Sequence, residues 1–574
     1  MMRASPASPS GIPLTPDRAL AEQLARWSAA SRDDPSACVA AAVAAVATHR
    51  GQQVALTVDG TVVDAAPAVA EVEVDPEVIE RWGPWLPGLL RETLVPSEGR
   101  RGFGVHHTPP DVVEEILDVA ETCGTVWTES TTALDPAVGG GAFLLAVASR
   151  LPGSRSDVVA RLQGIDIDPL AVAATVAGLT LWAGTPPPAG AFRVADFLAV
   201  EPSALSPVDV VVGNPPFLSQ LKGSGIRTRE DRERLAARWA GVGRYVDDAM
   251  AFALASVDVV VEGGVVVLVQ PASALGAADA EPVRARLMAS APLRGLWVDR
   301  TRRFAADVDT VALVACRGGD EGPVSVEGVA MPPPASTSWA PLLSVGAGTP
   351  LIERHPGPVL SDVARVTSGF RDQFYGLRGA VDDDPDGAHP LVTSGAIDPL
   401  RLRWGYRPSR FDRVRYTHPV VDLQRVDEGV RPWVEARMVP KVLVASQTKV
   451  IEAVVDEAGR AVPGTPVVSV EPTDPEVDVW HLAALLTSPV ATALLVREAA
   501  GTALSADAVR VSARLLGSLP LPMNNAAWAS AAEQARQGDV VGCGTSMLSA
   551  HGLGDRPDLL EWWIARIPAR SSGK

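Results

Sequence analysis

The residues with the clearest chemical potential are Asn214-Pro215-Pro216-Phe217, which follow the apolar run Val208–Gly213. Two prolines remove two backbone donors and stiffen the chain. What remains are acceptors: the Asn214 amide oxygen and the Pro215 carbonyl, aimed at one place. Two acceptors match the two hydrogens of an amino group, and Phe217 supplies a stacking face. Such a pocket holds a planar amine and turns its nitrogen lone pair toward an electrophile. A proline-rich turn with a capping Asn is the purely structural alternative.

Three further motifs precede this one. Leu134-Asp135-Pro136-Ala137-Val138-Gly139-Gly140-Gly141 joins a strand to a helix. Consecutive glycines let the backbone turn tightly and approach a ligand where a Cβ would clash. Asp135, at the strand end, is a place to hold an amine or ammonium. Gly164-Ile165-Asp166-Ile167-Asp168 closes the next strand, and a carboxylate there can accept hydrogen bonds from both ribose hydroxyls. Asp166 is preferred for that role over Asp168, which can instead cap the helix opening at Pro169. Its distance in sequence from Asp135 exceeds the roughly 20 residues of a compact dinucleotide fingerprint, and the insert around Pro152–Asp157 absorbs the excess. Asp196-Phe197 ends a third strand; the acid can bind an adenine amine and the ring can stack on it. Phe197 reads equally well as core.

These motifs need elements that hold them in register. Between about 103 and 320, short Val-rich strands alternate with Ala- and Leu-rich helices. Helices are expected near 110–121, 141–151, 168–182, 246–261 and 280–290. Val265–Val269 and Val208–Val212 read as strands covered on both faces. The pattern is α/β, doubly wound and Rossmann-like, with a parallel core. Before it, residues 1–100 predict a mostly helical region with a disordered start (Met1 to Pro16) and a hairpin over Val54–Val63 around Asp59-Gly60. Residues 321–360, with Pro332-Pro333-Pro334, suit a linker or core edge. Residues 361–522 read as α+β, with strands in Lys441–Val455 and Ala461–Val470 paired around Asp456–Gly459, and a helix over Val479–Glu498 with a break at Pro489. Residues 523–574 predict a helical tail of unknown use.

Composition bounds the function. The chain has 574 residues, 47% hydrophobic and 21% charged, which is globular. Its net charge of -17 argues against a protein that simply coats nucleic acid. Charge is unevenly spread: Pro399 to Val450 carries 11 Lys and Arg against 5 Asp and Glu. The four cysteines form no CxxC pair, so neither a disulfide framework nor a zinc site is expected, and a reducing cytoplasm fits. No apolar run is long enough to span a bilayer, so no membrane association is expected. Lys is absent before Lys222, and no nuclease pattern of clustered acids with a Lys is visible in the first part of the chain.

In order, at the ends of successive strands, the four motifs resemble the γ-class amino-methyltransferases of the TaqI type. That family opens with a Tyr-Thr-Pro segment over the methionine part of S-adenosylmethionine. Here it reads His107-Thr108-Pro109, with His for Tyr. The family's Asp-Pro-Ala-Cys-Gly-Ser-Gly appears as Asp135-Pro136-Ala137-Val138-Gly139-Gly140-Gly141, departing at Val138 and Gly140. Gln270-Pro271-Ala272-Ser273 is similar to a later strand. The resemblance covers roughly 80–320 and extends to 355–522 through Thr367-Ser368-Gly369-Phe370, Pro440-Lys441-Val442-Leu443 and Leu519-Pro520-Leu521-Pro522, which look like a target-recognition domain.

The resemblance implies an enzyme that methylates adenine N6 in double-stranded DNA after flipping the base out. Asn214, Pro215, Pro216 and Phe217 would be catalytic. The cofactor, S-adenosylmethionine, would lie on His107, Thr108, Pro109, Asp135, Pro136, Ala137, Gly139, Gly141, Asp166, Ile167, Asp196 and Phe197, with no metal. Arg403, Arg407 and Arg410, among Trp404, Tyr406, Phe411 and Tyr416, suit phosphate contact and base stacking, as does Lys441. Lys222, Arg227 and Arg229 follow the catalytic loop, where DNA would lie, although Glu230, Asp231 and Glu233 also fit a salt-bridged helix face. A nuclease or other defence-system subunit is a further expected partner. Two other readings stay open: a different acceptor (cytosine N4, RNA or a protein glutamine), and a site- or cofactor-sensing subunit of a phage-defence complex with little turnover.

Overall fold

The computed structural model describes residues 16–30, 34–66, 69, 71–94, 108–217, 229–239, 248–300, 303, 309–346, 348–369, 371–499 and 509–568. The chain divides into two compact units, residues 1–342 and 343–574.

The first unit is built on nine strands. In chain order its helices include α1 (Arg18–Ala30), α2 (Pro35–His49), α3 (Pro76–Trp82), α4 (Leu86–Leu94), α5 (Pro110–Thr122), α6 (Ala142–Arg150), α7 (Pro169–Ala183), α8 (Asp248–Val259) and α9 (Glu281–Ser290). After a small hairpin, β1 (Leu56–Val58) with β2 (Thr61–Val63), the strands are β3 (Ala133–Asp135), β4 (Leu162–Asp166), β5 (Phe192–Val194), β6 (Val208–Gly213), β7 (Val260–Pro271), β8 (Leu293–Val298), β9 (Thr310–Cys316), β10 (Val324–Val326) and β11 (Val329–Met331).

Strands β3 to β11 form one sheet in the order β11-β10-β8-β9-β7-β6-β3-β4-β5. From β5 to β7 every pairing is parallel, while β9 runs antiparallel to both β7 and β8. The parallel core expected from the sequence is therefore part of a mixed sheet. Val and Leu fill β6, β7 and β9 because helices cover both faces, and each such side chain fully buried stabilises the sheet by about 1.5–3 kcal/mol. Two hydrogen bonds lock the start of the core: the Thr132 N–H and hydroxyl both donate to Asp209 Oδ2, at 2.8 and 2.7 Å. That explains the one polar residue in the β6 run.

The chain leaves β3 outward through β4 to β5, then returns to the other side of β3 with β6. Strand order thus reverses between β3 and β6. In an open α/β sheet, a ligand crevice lies at such a reversal, outside the carboxyl ends of the strands. Helix α5 shows how the faces are closed. Pro110 sits at its first turn, Val112, Val113, Ile116, Leu117 and Ala120 make one buried stripe, and that stripe packs with residues of the sheet in one core cluster.

The helices of the N-terminal region belong to the same unit. Leu86, Leu89 and Leu90 of α4 pack with Ala173, Ala174, Ala177 and Leu181 of α7. The approach is close enough that a Cβ on Gly178 would lie 2.6 Å from the Pro84 carbonyl oxygen.

The second unit centres on an antiparallel sheet of four strands, β12 (Ala364–Ser368), β13 (Lys441–Val444), β14 (Ala453–Asp456) and β15 (Val468–Pro472), in the order β12-β15-β13-β14. The expected hairpin around Asp456–Gly459 does not form. β13 instead pairs with β14, across the intervening residues 445–452, and β15 lies on the other side of β13. Asp456 explains this, because its carboxylate accepts from the Lys441 ammonium and the Ala461 N–H and turns the chain away from β14. Helices α10 (Val479–Leu486) and α11 (Pro489–Ala499) are bent by 58° where Pro489 opens the second. Helices α12 (Asn525–Arg536), α13 (Val540–Ala550) and α14 (Pro557–Ile564) are no loose tail: Trp528, Trp562 and Trp563 pack into the core of this unit. Among the described residues no single helix is long and apolar enough to cross a membrane.

Candidate active site

All four motifs lie at the carboxyl ends of adjacent strands. Asp135 ends β3 opposite Gly164 of β4, Asp166 ends β4 opposite Val194 of β5, Asp196 follows β5, and Asn214 follows β6. The reversal between β3 and β6 brings Asp135 against the start of the Asn214 loop. A Cβ on Gly213 would lie 2.6 Å from Asp135 Oδ1, so only glycine allows this approach.

The glycine loop from Ala137 to Gly141 has a distinctive hydrogen-bond pattern. The Ala137 N–H donates to Asp135 Oδ1 at 2.9 Å, and the Gly139 N–H to Asp166 Oδ2 at 2.9 Å. The Gly140 N–H donates to Glu92 Oε1 at 3.2 Å. Val138 and Gly141 donate to the carbonyls of Ile165 and Val138. Gly139 and Gly141 have φ of +51° and +80°, the left-handed conformation that favours glycine. Every N–H of the loop is thus used inside the protein, three of them on carboxylates. In nucleotide-binding folds the equivalent amides cradle a phosphate. This loop has none to spare, and the carboxyl groups that take three of them turn the crevice electronegative once they ionise. It suits a ligand with positive charge.

The carboxylates are held in different ways. Asp135 is 1% exposed. Burial pushes its carboxyl up to about 8; the Ala137 N–H pulls it down and the neighbouring Asp166 raises it further. Asp166 is also raised, chiefly by burial, against the opposing pull of the Asp168 N–H, Arg91 and the Gly139 N–H. A cation beside either group reverses that penalty. Asp168 caps α7 by accepting from the Leu170 N–H, as its structural reading holds, and also accepts from Arg91 Nε at 3.1 Å. Ile167 projects an exposed apolar side chain beside Asp166. Asp196 accepts from the Leu198 N–H and stays partly exposed. Phe197 is a correction: it is 3% exposed and stacks on Phe252 at 5.6 Å, so it packs as core rather than as an open stacking face.

In the Asn214 loop, Pro215 is buried, and Phe217 packs against the sheet. The Asn214 Nδ2 donates to the buried Thr108 hydroxyl at 2.8 Å. This bond orients the carboxamide from the segment that opens α5 through Pro109. His107, Lys222 and Arg227 lie outside the described residues, as does the side chain of Arg229. Sequence reasoning missed Arg91 and Glu92. Glu92 stands 48 residues before Gly140 and Arg91 stands 77 before Asp168, in a segment without a motif, and only the packing of α4 reveals them.

In the second unit the basic residues separate into two kinds. Lys441 is fully buried, with its ammonium 2.6 Å from Asp456 Oδ2, so it cannot reach a phosphate. Arg403 is mostly buried and bonds Asp398 at 2.6 Å; Arg407 bonds Asp398 and the Gly395 carbonyl. These three have structural partners, which corrects the expectation of free cations there. Arg410 differs. It lies in a hairpin of Ser409–Phe411 with Val414–Tyr416, whose two-residue turn puts Asp412 and Arg413 at φ of +44° and +67°. Neither is glycine, and such a turn carries strain. Arg410, Arg413 and Arg415 are exposed and form no ion pair among the described residues. With Phe374, Tyr375 and Ser394, Arg410 and Arg413 line a cleft of about 700 Å³.

Residues 90–296 match the family model for N-6 DNA methylases. The N-6 DNA methylase match takes in all four motifs and bears out the resemblance read from the sequence. It implies S-adenosylmethionine as the cofactor, a sulfonium with an ammonium group, in keeping with the electronegative crevice. No curated protein matches the chain in sequence. In fold the chain is similar to the type IIL restriction-modification enzyme MmeI in complex with DNA, at 13% identity and a TM-score of 0.50, over 88% of this chain and 84% of that one. The type IIG restriction endonuclease BpuSI aligns over 96% of this chain and 80% of its own at 14% identity and a TM-score of 0.47. The M protein of the type I restriction enzyme EcoKI aligns over 52% and 67% at 15% identity and a TM-score of 0.30.

The state of Asp135 leads to a prediction. Its carboxyl stands near 8 in the folded chain against an ordinary 3.8. A raised pKa contributes stability that is complete below the unfolded value and is lost as pH rises through the folded one. Asp135→Asn is neutral at every pH. It is expected to raise the melting temperature of the ligand-free protein by several degrees at pH 9, leave it unchanged at pH 4, and weaken S-adenosylmethionine binding. Parallel melting curves against pH for the two proteins would contradict the assignment.

Proposed function

We propose that the first unit transfers a methyl group from S-adenosylmethionine to the N6 amine of an adenine flipped out of double-stranded DNA. The observation that carries this is the convergence of Asp135, Asp166, Asp196 and the Asn214 loop on one strand reversal. When bound, the cofactor supplies a sulfonium whose methyl carbon is electrophilic, and transfer breaks the carbon–sulfur bond to leave a neutral thioether. Asp135 would face its positive end. Asp166 would hold the ribose hydroxyls, Ile167 would supply an apolar face for the adenine ring, and Asp196 would accept from that ring's amine. The Asn214 Oδ1 and Pro215 carbonyl accept the two hydrogens of the target amine, and Phe217 packs on the base. Held so, the nitrogen lone pair would be free to take the methyl group, and the amine would then release one proton to water. Most of the rate comes from positioning and from acceptors already in place, because the methyl group is reactive on its own.

The second unit is proposed to read the DNA. Its hairpin carries Arg410, Arg413 and Arg415, which have no carboxylate partner among the described residues, beside the aromatic cleft of Phe374 and Tyr375. Unpaired guanidiniums contact phosphates or base edges, and exposed rings stack on bases. Enzymes of restriction-modification systems share this fold, which supports a role in such a system with a nuclease as partner.

Asn214→Ala is expected to lower methyl transfer to DNA by about 100- to 1,000-fold, the scale of losing a group that acts only in the transition state. Its S-adenosylmethionine affinity by calorimetry should stay within about threefold of wild type, well under 1.4 kcal/mol. Transfer at the wild-type rate would sink the mechanism. Arg410→Ala is expected to weaken DNA binding and to lower the slope of log K against log salt by about one. An unchanged slope would remove Arg410 from the interface.

A further inference from the structure

We infer that α4, in the N-terminal helical region, forms a wall of the cofactor site, and that Glu92 on it is a positioning residue that sets the glycine loop through Gly140. The inference rests on the cofactor reading above. Three contacts carry it. Glu92 Oε1 accepts the Gly140 N–H at 3.2 Å. Arg91 is buried and bonds Asp168, the cap of α7, through Nε and Nη2. Gly88 lies against Gly140 so closely that a Cβ on Gly88 would sit 1.9 Å from the Gly140 carbonyl oxygen, and one on Gly140 would sit 2.9 Å from the Gly88 backbone. The apolar face of α4 is fixed on α7 by Leu86, Leu89 and Leu90, so the helix has little freedom to retreat.

The arrangement adds a carboxylate anchor from α4 to those that Asp135 and Asp166 supply from the strand ends. Asp166 holds the Gly139 amide from β4, and Glu92 holds the next amide from α4. Two consecutive peptide planes are thereby fixed, and with them the carbonyls and the Asp135 side chain that face the ligand. Without Glu92, the Gly140 amide has no acceptor, and a glycine-rich segment is the part of the chain most able to flip a peptide plane. The loop would then sample conformations that do not bind. Affinity falls in proportion to the fraction of competent loop. The role belongs to the acceptor oxygen rather than the charge, since Gln at the same position keeps an oxygen at that place.

The test uses the full chain and four proteins: wild type, Glu92→Ala, Glu92→Gln and Gly88→Ala. Each is measured for S-adenosylmethionine binding by calorimetry, for melting without ligand, and for hydrogen exchange of the Gly140 amide. Glu92→Ala and Gly88→Ala are expected to bind about tenfold more weakly, which is about 1.4 kcal/mol. Glu92→Gln should stay within about threefold. The Gly140 amide should exchange faster in Glu92→Ala, with the ligand-free melting temperature close to wild type. Wild-type affinity in Glu92→Ala overturns the inference. So does equal loss in Glu92→Ala and Glu92→Gln, which would assign the effect to charge, or a loss that only follows a lowered melting temperature. If wild type binds no S-adenosylmethionine, the cofactor reading fails separately. The anchor is then decided by exchange alone: faster Gly140 exchange in Glu92→Ala supports it, and unchanged exchange overturns it.

Discussion

The site depends on how the amides of the loop from Ala137 to Gly141 are satisfied. A glycine turn at the end of a first strand is chemically neutral in the sequence: its N–H groups can face a phosphate or face the protein. Here all five face the protein, on Asp135, Ile165, Asp166, Glu92 and Val138. That choice removes the anion cradle and leaves carboxylates around the crevice. The rest follows from it. Asp135 can remain buried beside Gly213 only because it accepts an amide and carries a raised pKa. Asp166 divides its two oxygens between the Gly139 and Asp168 amides. The crevice is then set for a cation at the point where strand order reverses, with the Asn214 loop on its far side.

Much of this was legible in the sequence. The alternation of short apolar strands and helices located α5 to α9 within a few residues, because buried strands and capped helices leave strong local signals such as Pro110 and Pro169 at first turns. The order of Asp135, Asp166, Asp196 and Asn214 was readable for the same reason: each sits at a strand end marked by a turn. What the sequence hid was non-local. The antiparallel insertion of β9 between β7 and β8 depends on pairing, which hydrophobic runs do not specify. Glu92 and Arg91 act across long separations; Pro76 to Leu94 reads as partly helical with Leu86 and Leu89 on an apolar face, but that pattern does not say what the polar side of the helix touches. Phe197 was ambiguous because an aromatic after a strand end serves ligand and core equally; packing on Phe252 decided it.

The second unit teaches the opposite lesson about charge. A local excess of Lys and Arg looks like a binding surface, yet Lys441, Arg403 and Arg407 are held by Asp456, Asp398 and the Gly395 carbonyl. Of the open basic residues Arg410, Arg413 and Arg415, the first and last lie in the strands of one hairpin and Arg413 lies in its strained two-residue turn. Strain of this kind persists where the surrounding structure holds it and where presenting a side chain is worth the cost. Counting charge located the region, and only pairing separated the structural cations from the presented ones.

The central claim is that this crevice methylates an exocyclic amine of adenine through the Asn214 loop. Mass spectrometry of nucleosides tests it most directly, on DNA from cells that have no adenine methylation of their own. One culture expresses the intact chain and a second expresses Asn214→Ala. The account predicts N6-methyladenine in the first, none in the second, and no N4-methylcytosine in either. N4-methylcytosine, unmodified DNA in both, or N6-methyladenine made by the Asn214→Ala chain would contradict it.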